Sequence, residues 1–291
     1  MRESSKRTDR DHYITIRDIN RYRRIVEDVE IRLDDNDAIS LRLWVLRLQQ
    51  DGAECALKDK RDPPPPESGL PQDSFVLCVQ TKFQQDRFQA LGNNFVSIDA
   101  THNTTQYAGL QLFSVLVRDQ WGHGTLCGAF PFADTHARST AGVPVAWMLS
   151  SSGTEATITF FLNFVKKRSL QITPAIVMTD RDKAQMNAIT AVYPVSKVLL
   201  CWWHVLRAIR MHFRTEEFPD LWERIGTWVR TSDQILFDRL WQEMQTDSSV
   251  PQTLVDYLQV NWMGIVPLWS GIHRKNRPIF QEGDTNMLIE S

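Results

Sequence analysis

The apolar residues in the central part of the chain fall into short runs that predict β-strands. These runs are rich in β-branched and other apolar residues and occupy residues 75–81, 95–101, 110–119, 142–149, 174–180 and 196–205. The run at 174–180 ends in a carboxylate and is typical of a buried parallel strand, and the last run continues into a helix. The order of the runs predicts an α/β layer on a mixed sheet, and leaves the strand order open.

Helical spacing is clearest just after the strand run at 142–149. Its apolar stripe repeats at i, i+3, i+4 and i+7, at Ile158, Phe161, Leu162 and Val165. Ser152 and Glu155 are predicted to form its capping box. Further helices are predicted after Asp180, ending at Pro194, and through most of residues 215–260. In the N-terminal region, residues 15–32 predict an exposed amphipathic helix, and residues 38–50 predict a second helix.

Composition and charge exclude several classes of protein. Hydrophobic residues make up 42% of the chain and charged residues 23%, which excludes a collagen-like or wholly disordered chain. The net charge of −2 excludes a histone-like protein, so contacts with nucleic acid would have to come from local basic patches. Four scattered cysteines favour a reducing compartment. Because there is neither a secretory signal nor an apolar run of roughly 20 residues, we expect an intracellular, soluble protein without membrane contact.

Two aspartates at the ends of predicted strands are the strongest candidates for chemistry. Asp99 lies in SIDATHNT and Asp180 in VMTD. Carboxylates at such strand ends commonly face a ligand site, and a pair of them suits a hard cation such as Mg²⁺, with a third acid to complete the set. A structural role is the alternative for both, since Asp180 could cap the next helix; it is less favoured for Asp99, because a turn signal rather than a helix follows this residue.

The segment after the last strand run adds weaker candidates. Cys201 and His204 form a C-x-x-H pair, which is half of a zinc site or simply a buried thiol beside a polar histidine. Arg207, Arg210 and Arg214 recur on one face of the following helix. Such a stripe either contacts nucleic-acid phosphates or is a solvated helix face.

Several blocks together resemble a known family. In order they are SIDATHNTTQYAGLQLFSVLVRDQWGHG, GVPVAWMLSS, FFLNFV, PAIVMTDRDKAQMNAI and VLLCWWHVLRA. The series resembles the transposase domain of Mutator-like (MULE) elements, in the DDE superfamily, over about residues 75–291, and the N-terminal part looks like the flank of fungal relatives. The resemblance implies a ribonuclease H-like fold, in which a mixed sheet is flanked by helices, with an α-helical insertion and an N-terminal helical flank.

The resemblance also implies a site. Asp99 matches the first acid of the family, Asp180 the second and Glu290, in TNMLIES, the third. These residues would hold two Mg²⁺ or Mn²⁺ ions for DNA strand cleavage and transfer in DNA transposition and recombination. Cys201 and His204 match a motif that the family keeps beside the site, where they would shape it.

Partners and location follow from the same resemblance. Arg207 and Arg210 are expected to contact the DNA backbone, and the partners would be transposon ends and target DNA. The protein would act in the nucleus, and a homodimer is one expected assembly.

The predicted organisation has four parts. Residues 1–66 form a charged helical flank with a proline linker, and residues 71–214 form the ribonuclease H-like core. Residues 215–269 are the helical insertion, and residues 270–291 are the return segment. Within the core, residues 125–141 separate two blocks that are nearly adjacent in the family, and we interpret them as a retained intron translated in frame.

Activity is left open by the sequence. The chain ends one residue after Glu290, so one expectation is a truncated and inactive copy of a DDE transposase. The alternative is a non-catalytic, DNA-associated regulatory protein derived from a transposase.

Overall fold

Two units make up the chain, Met1–Ala53 and Glu54–Ser291. A computed structural model describes residues 15–26, 31–102, 105, 107–118 and 142–274. In the first unit, α1 (Ile16–Val26) and α2 (Asp37–Gln50) confirm the two predicted helices. The side chain of Asn36 caps α2 by accepting hydrogen bonds from the amides of Ala38 and Ile39.

The second unit is built on a mixed sheet of seven strands among the described residues. The strands are β1 (Glu54–Lys58), β2 (Val76–Gln80), β3 (Phe95–His102), β4 (Gln111–Val117), β5 (Val143–Ser150), β6 (Ile176–Thr179) and β7 (Lys197–Leu200). Their order is β1-β2-β5-β4-β3-β6-β7. Strands β1 to β5 pair antiparallel, whereas β3 pairs with β6, and β6 with β7, in parallel. The predicted mixed α/β architecture is therefore confirmed.

Helices cover the sheet and continue beyond it. They are α3 (Lys82–Leu91), α4 (Glu155–Lys167), α5 (Lys183–Val192), α6 (Trp202–Arg210), α7 (Pro219–Arg230), α8 (Gln234–Thr246), α9 (Gln252–Asn261) and α10 (Val266–Trp269). Helices α3, α4 and α5 bury their apolar sides against one face of the sheet. Helices α6 to α10 enclose a second core, in which the rings of Trp228 and Trp269 lie 4.8 Å apart between centroids. The helical prediction for residues 215–260 is confirmed.

Two elements were missed from the sequence. Strand β1 has charged residues at both of its ends, Glu54 and Lys58, and is mostly half-buried at the sheet edge, so it lacks an apolar run. It falls in the segment that the sequence assigned to the flank. Helix α3 is also polar, and its capping box of Thr81 and Gln84 is a short-range signal that could have revealed it.

The start of α4 differs from the prediction. The N-cap is Thr154, whose hydroxyl accepts a hydrogen bond from the amide of Thr157. Ser152 lies before the cap, and Glu155 is the first helical residue, so these two cannot form the predicted capping box. The predicted apolar stripe of this helix is nevertheless buried as expected.

None of the helices in the described part of the chain is both long and apolar enough to cross a membrane.

Lys58 offers a test of how the edge of the sheet is held. Its side chain is 2% exposed, and its ammonium group donates hydrogen bonds to the carbonyls of Gln72 and Ser74, both at 2.8 Å. We expect Lys58→Met to lower the free energy of unfolding by about 2 kcal/mol, because both carbonyls lose a charged donor. Chemical denaturation would measure this. Lys60→Met, at an exposed position, is the control, and equal stability of the two variants would contradict the prediction.

Candidate active site

The two predicted acids lie level with each other, Asp99 inside β3 and Asp180 directly after the neighbouring parallel strand β6. In the β3–β6 pair, Phe95 is opposite Ile176 and Ser97 is opposite Met178. Continuing this register by two residues brings Asp99 level with Asp180. Because alternate residues of a strand point to the same face, both carboxylates lie on the face that carries Phe95. Asp99 is inside β3, rather than at its end, since β3 continues to pair with β4 after β6 has stopped.

Asp180 does not cap a helix. The N-cap of α5 is Asp182, whose carboxylate accepts a hydrogen bond from the amide of Gln185 at 2.8 Å. The Oδ1 atom of Asp180 is buried and has no hydrogen-bond partner among the described residues. A buried polar atom without a hydrogen bond needs an explanation, such as an ordered water, a bound ion or a catalytic role. The capping alternative for Asp180 is therefore wrong.

The electrostatics of Asp180 reflect its surroundings. The pKa of its carboxyl group is raised from 3.8 to about 6, chiefly by burial and then by the negative charges of Asp182 and Asp99. A bound cation would act in the opposite sense, because it favours the ionised carboxylates. The ionised carboxylates of Asp180, Asp182 and Asp99 therefore repel one another.

The side chain of His204 approaches that of Asp99. Its Nε2 atom is 4.0 Å from Oδ1 of Asp99, and the Asp99 side chain is only 7% exposed. Burial, and then the charge of Arg207, lower the pKa of His204 to about 4. The imidazole is therefore neutral at pH 7. The two side chains therefore do not form an ion pair, and a separation of 4.0 Å is too long for a hydrogen bond.

Cys201 helps to place His204 through the backbone. Its amide donates to the carbonyl of Thr179 at 2.9 Å, which ties the start of α6 to the end of β6. Its side chain is buried in an apolar cluster with Phe95, Ile176, Met178 and Leu199. Of the two sequence-based alternatives, this environment matches the buried thiol beside a polar histidine.

The arginines of the α6 region are not equivalent. Arg210 lies 3.6 Å from Glu216, and Arg214 lies 2.7 Å from Glu217. Arg207 is exposed and has no ion-pair partner among the described residues, and its guanidinium lies over the ring of Trp203. The stripe predicted from the sequence therefore has one arginine whose charge is not offset by a carboxylate.

The predicted third acid cannot be placed. Glu290 and residues 125–141 lie outside the described residues. Within the described part of the chain, no group of three or more His, Cys, Asp or Glu side chains is arranged to hold a metal ion. Asp99 and Asp180 are the two carboxylates that fit a hard cation, because they lie level, carry oxygen ligands and leave Oδ1 of Asp180 unpaired.

Two further residues beside the site, Trp203 and Arg181, were not predicted from the sequence. Trp203 packs on the apolar cluster beside Cys201. Arg181 follows Asp180 directly, and its guanidinium lies 4.8 Å from the ring centroid of the buried Trp262 in the helical region. An aromatic residue inside the C-x-x-H block was visible in the sequence, but its contacts depend on which strands are adjacent.

Comparison with known proteins gives one family. A family model described as the MULE transposase domain matches residues 129–208, which include Asp180, His204 and Arg207. Asp99 precedes the matched range, and Arg210 and Glu290 follow it. A search of curated proteins finds no match. The resemblance predicted from the sequence is therefore confirmed: over residues 129–208 this chain matches the MULE transposase domain.

Proposed function

We propose that this chain is a metal-dependent DNA transposase of the DDE type, which cleaves and transfers DNA strands. The observation that carries the proposal is the level placement of Asp99 and Asp180, with a buried, unpartnered Oδ1 on Asp180. The family match over residues 129–208 supports a transposase-related function and interaction with DNA. Opposed carboxylates at the edge of parallel strands suit phosphodiester chemistry assisted by divalent ions.

The proposed fold is ribonuclease H-like. Its support is the antiparallel succession β3, β4 and β5, extended on the β3 side by the parallel strands β6 and β7. This arrangement brings the first acid on β3 next to the second acid after β6. The helical region α7 to α10 would then be the insertion expected from the resemblance.

Each residue of the site has a proposed role. Asp99 and Asp180 would hold Mg²⁺ or Mn²⁺, with Glu290 as the third acid on the strength of the resemblance. Bound divalent ions supply positive charge that acidifies an attacking water or 3′-hydroxyl and offsets charge on the leaving oxygen. The neutral His204 limits how Asp99 can turn, because the two side chains approach to 4.0 Å.

DNA contacts and location complete the proposal. Arg207 would contact a backbone phosphate, since its charge is not offset by a carboxylate among the described residues. Arg210 would contribute less because Glu216 competes for it. The partners would be transposon ends and target DNA, with action in the nucleus and assembly as a homodimer.

Metal-dependent melting tests the proposal. Mg²⁺ or Mn²⁺ binding to the folded state should raise the melting temperature of the wild-type chain, because a ligand of the folded state stabilises it. Asp99→Asn should remove most of that increase. Asp73→Asn changes an exposed aspartate away from the strand ends and should keep it. Equal metal responses of wild type and Asp99→Asn would reject the metal site.

The alternative function is a non-catalytic, DNA-associated regulatory protein that keeps the fold. In this case the wild-type chain would bind DNA without cleaving it, and Asp99→Asn would leave DNA binding unchanged.

A further inference from the structure

Trp203 and Arg207 form a fixed pair on α6. They are four residues apart, which places both side chains on the same side of the helix. The guanidinium carbon of Arg207 lies 4.8 Å from the centroid of the Trp203 ring, which is a cation–π contact. The indole is held from other sides too, because it packs on the Phe95 cluster and meets the His204 ring edge-on, with centroids 4.8 Å apart.

This pair lies beside the two aspartates. Trp203 packs against the cluster that contains Phe95, on the sheet face that carries Asp99 and Asp180. His204 connects the two groups directly, since its ring contacts Trp203 and its Nε2 atom lies 4.0 Å from Asp99. A DNA strand with its phosphate at the aspartates would therefore have a nucleotide within reach of the pair.

The exposed component of the pair is the arginine. Trp203 is half-buried, whereas Arg207 is exposed and has no ion-pair partner among the described residues. A guanidinium held over an indole keeps its N–H edge available to phosphate and its outer face available for stacking. Arg210 and Arg214, with glutamate partners at 3.6 Å and 2.7 Å, lack this arrangement.

We propose that Trp203 and Arg207 form a stacking platform for an unpaired DNA base next to the scissile phosphate. The inference rests on the proposed function and names the form of DNA that the site prefers. Bases that are not paired expose their faces and stack on aromatic rings and on arginine planes. Bases inside a duplex already stack on their neighbours, so the platform selects DNA with unpaired nucleotides over a fully paired duplex.

Arg207→Lys tests the platform while keeping the charge. The probes are a blunt duplex and the same duplex with a single-stranded 3′ extension that carries 2-aminopurine, titrated with the full chain. We expect Arg207→Lys to weaken binding of the extended duplex by about 10-fold. Binding of the blunt duplex should weaken by less than about twofold. Arg239→Lys is the matched control and should leave both affinities unchanged, because this exposed arginine on α8 lies 3.7 Å from Glu243 and has no part in the proposed site. Equal losses on the two DNAs, or no loss for Arg207→Lys, would overturn the platform.

Trp203→Leu supplies a second readout. The wild-type chain should change the fluorescence of the 2-aminopurine extension on binding, because stacking quenches it, and Trp203→Leu should remove most of this change. Circular dichroism would establish that the variant is folded, and Arg207→Lys carries the test if it is not. Wild-type quenching that survives in a folded Trp203→Leu variant would contradict the platform.

Failure of the platform and failure of the proposed function give different results. If metal raises the melting temperature only when Asp99 is present, but Arg207→Lys does not alter the preference for unpaired DNA, the platform is overturned and the transposase proposal stands. If Arg207→Lys removes the preference while Asp99→Asn melts like wild type with metal, the platform is supported and the metal site is rejected.

Discussion

Asp99→Asn is expected to lower the rate of metal-dependent nicking of supercoiled DNA by about 10³-fold or more, since residues that act as a unit in catalysis show losses of this order. Asparagine keeps the size and shape of the side chain, but removes the negative charge that a hard divalent cation needs. The Asp99 side chain is 7% exposed and held within β3, so no other acid can move into its place without a change of backbone.

The measurement is the initial rate of conversion of supercoiled to open-circular DNA, in Mg²⁺ and separately in Mn²⁺. Asp73→Asn should retain the wild-type rate, because this aspartate is exposed and lies in the loop before β2. A folded Asp99→Asn protein that nicks DNA at the wild-type rate would reject catalysis by the aspartate pair. A wild-type protein that binds DNA but never nicks it would favour the non-catalytic alternative.

The strands and the acids of the site were predictable because their signals are local. Strand β6 is short and buried throughout, and β7 is buried in its second half, so both contain apolar runs, which are followed by Asp180 and Cys201. Helix α4 buries a stripe at regular spacing, which a sequence shows directly. The strand order, in contrast, depends on which apolar faces pack together, and no local pattern records that.

Other features escaped because tertiary contacts decide them. Residues 180–182 include two aspartates, Asp180 and Asp182. Which of them caps α5 depends on whether its side chain can reach the amide of Gln185. Strand β1 forms because β2 offers it a free edge, and not because its own residues are apolar. The spacing of Trp203 and Arg207 was visible in the sequence, but the packing of the indole on the cluster that contains Phe95 depends on which strands are adjacent.

The pKa of Asp180 implies an unusual stability effect. The pKa in the folded state is raised from 3.8 to about 6, so the folded state binds this proton more tightly than the unfolded state does. Between these two values the free energy of unfolding therefore falls as pH rises, and above pH 6 the buried carboxylate is destabilising. Because one pKa unit corresponds to about 1.4 kcal/mol, the ionised group costs about 3 kcal/mol at pH 7.

Asp180→Asn should therefore make the metal-free protein more stable by up to about 3 kcal/mol at pH 7, and give no gain near pH 4, where Asp180 is protonated in the folded protein. His204 acts in the opposite direction, because its lowered pKa of about 4 removes stability as pH falls below 6.5. The wild-type protein and Asp180→Asn share the contribution of His204. The difference between their free energies of unfolding at each pH therefore reports the contribution of Asp180. The measurement is urea denaturation in EDTA at pH 4, 5, 6 and 7.

Adding Mg²⁺ or Mn²⁺ should reverse the comparison. The wild-type protein gains stability because the cation offsets the repulsion between Asp99 and Asp180, while Asp180→Asn gains little. A variant that is more stable without metal, yet unresponsive to metal and inactive on DNA, would mean that the buried carboxylate is kept for function at a cost in stability. Equal stability of the two proteins across pH 4 to 7 in EDTA would contradict the raised pKa of Asp180 and the burial that is its main cause.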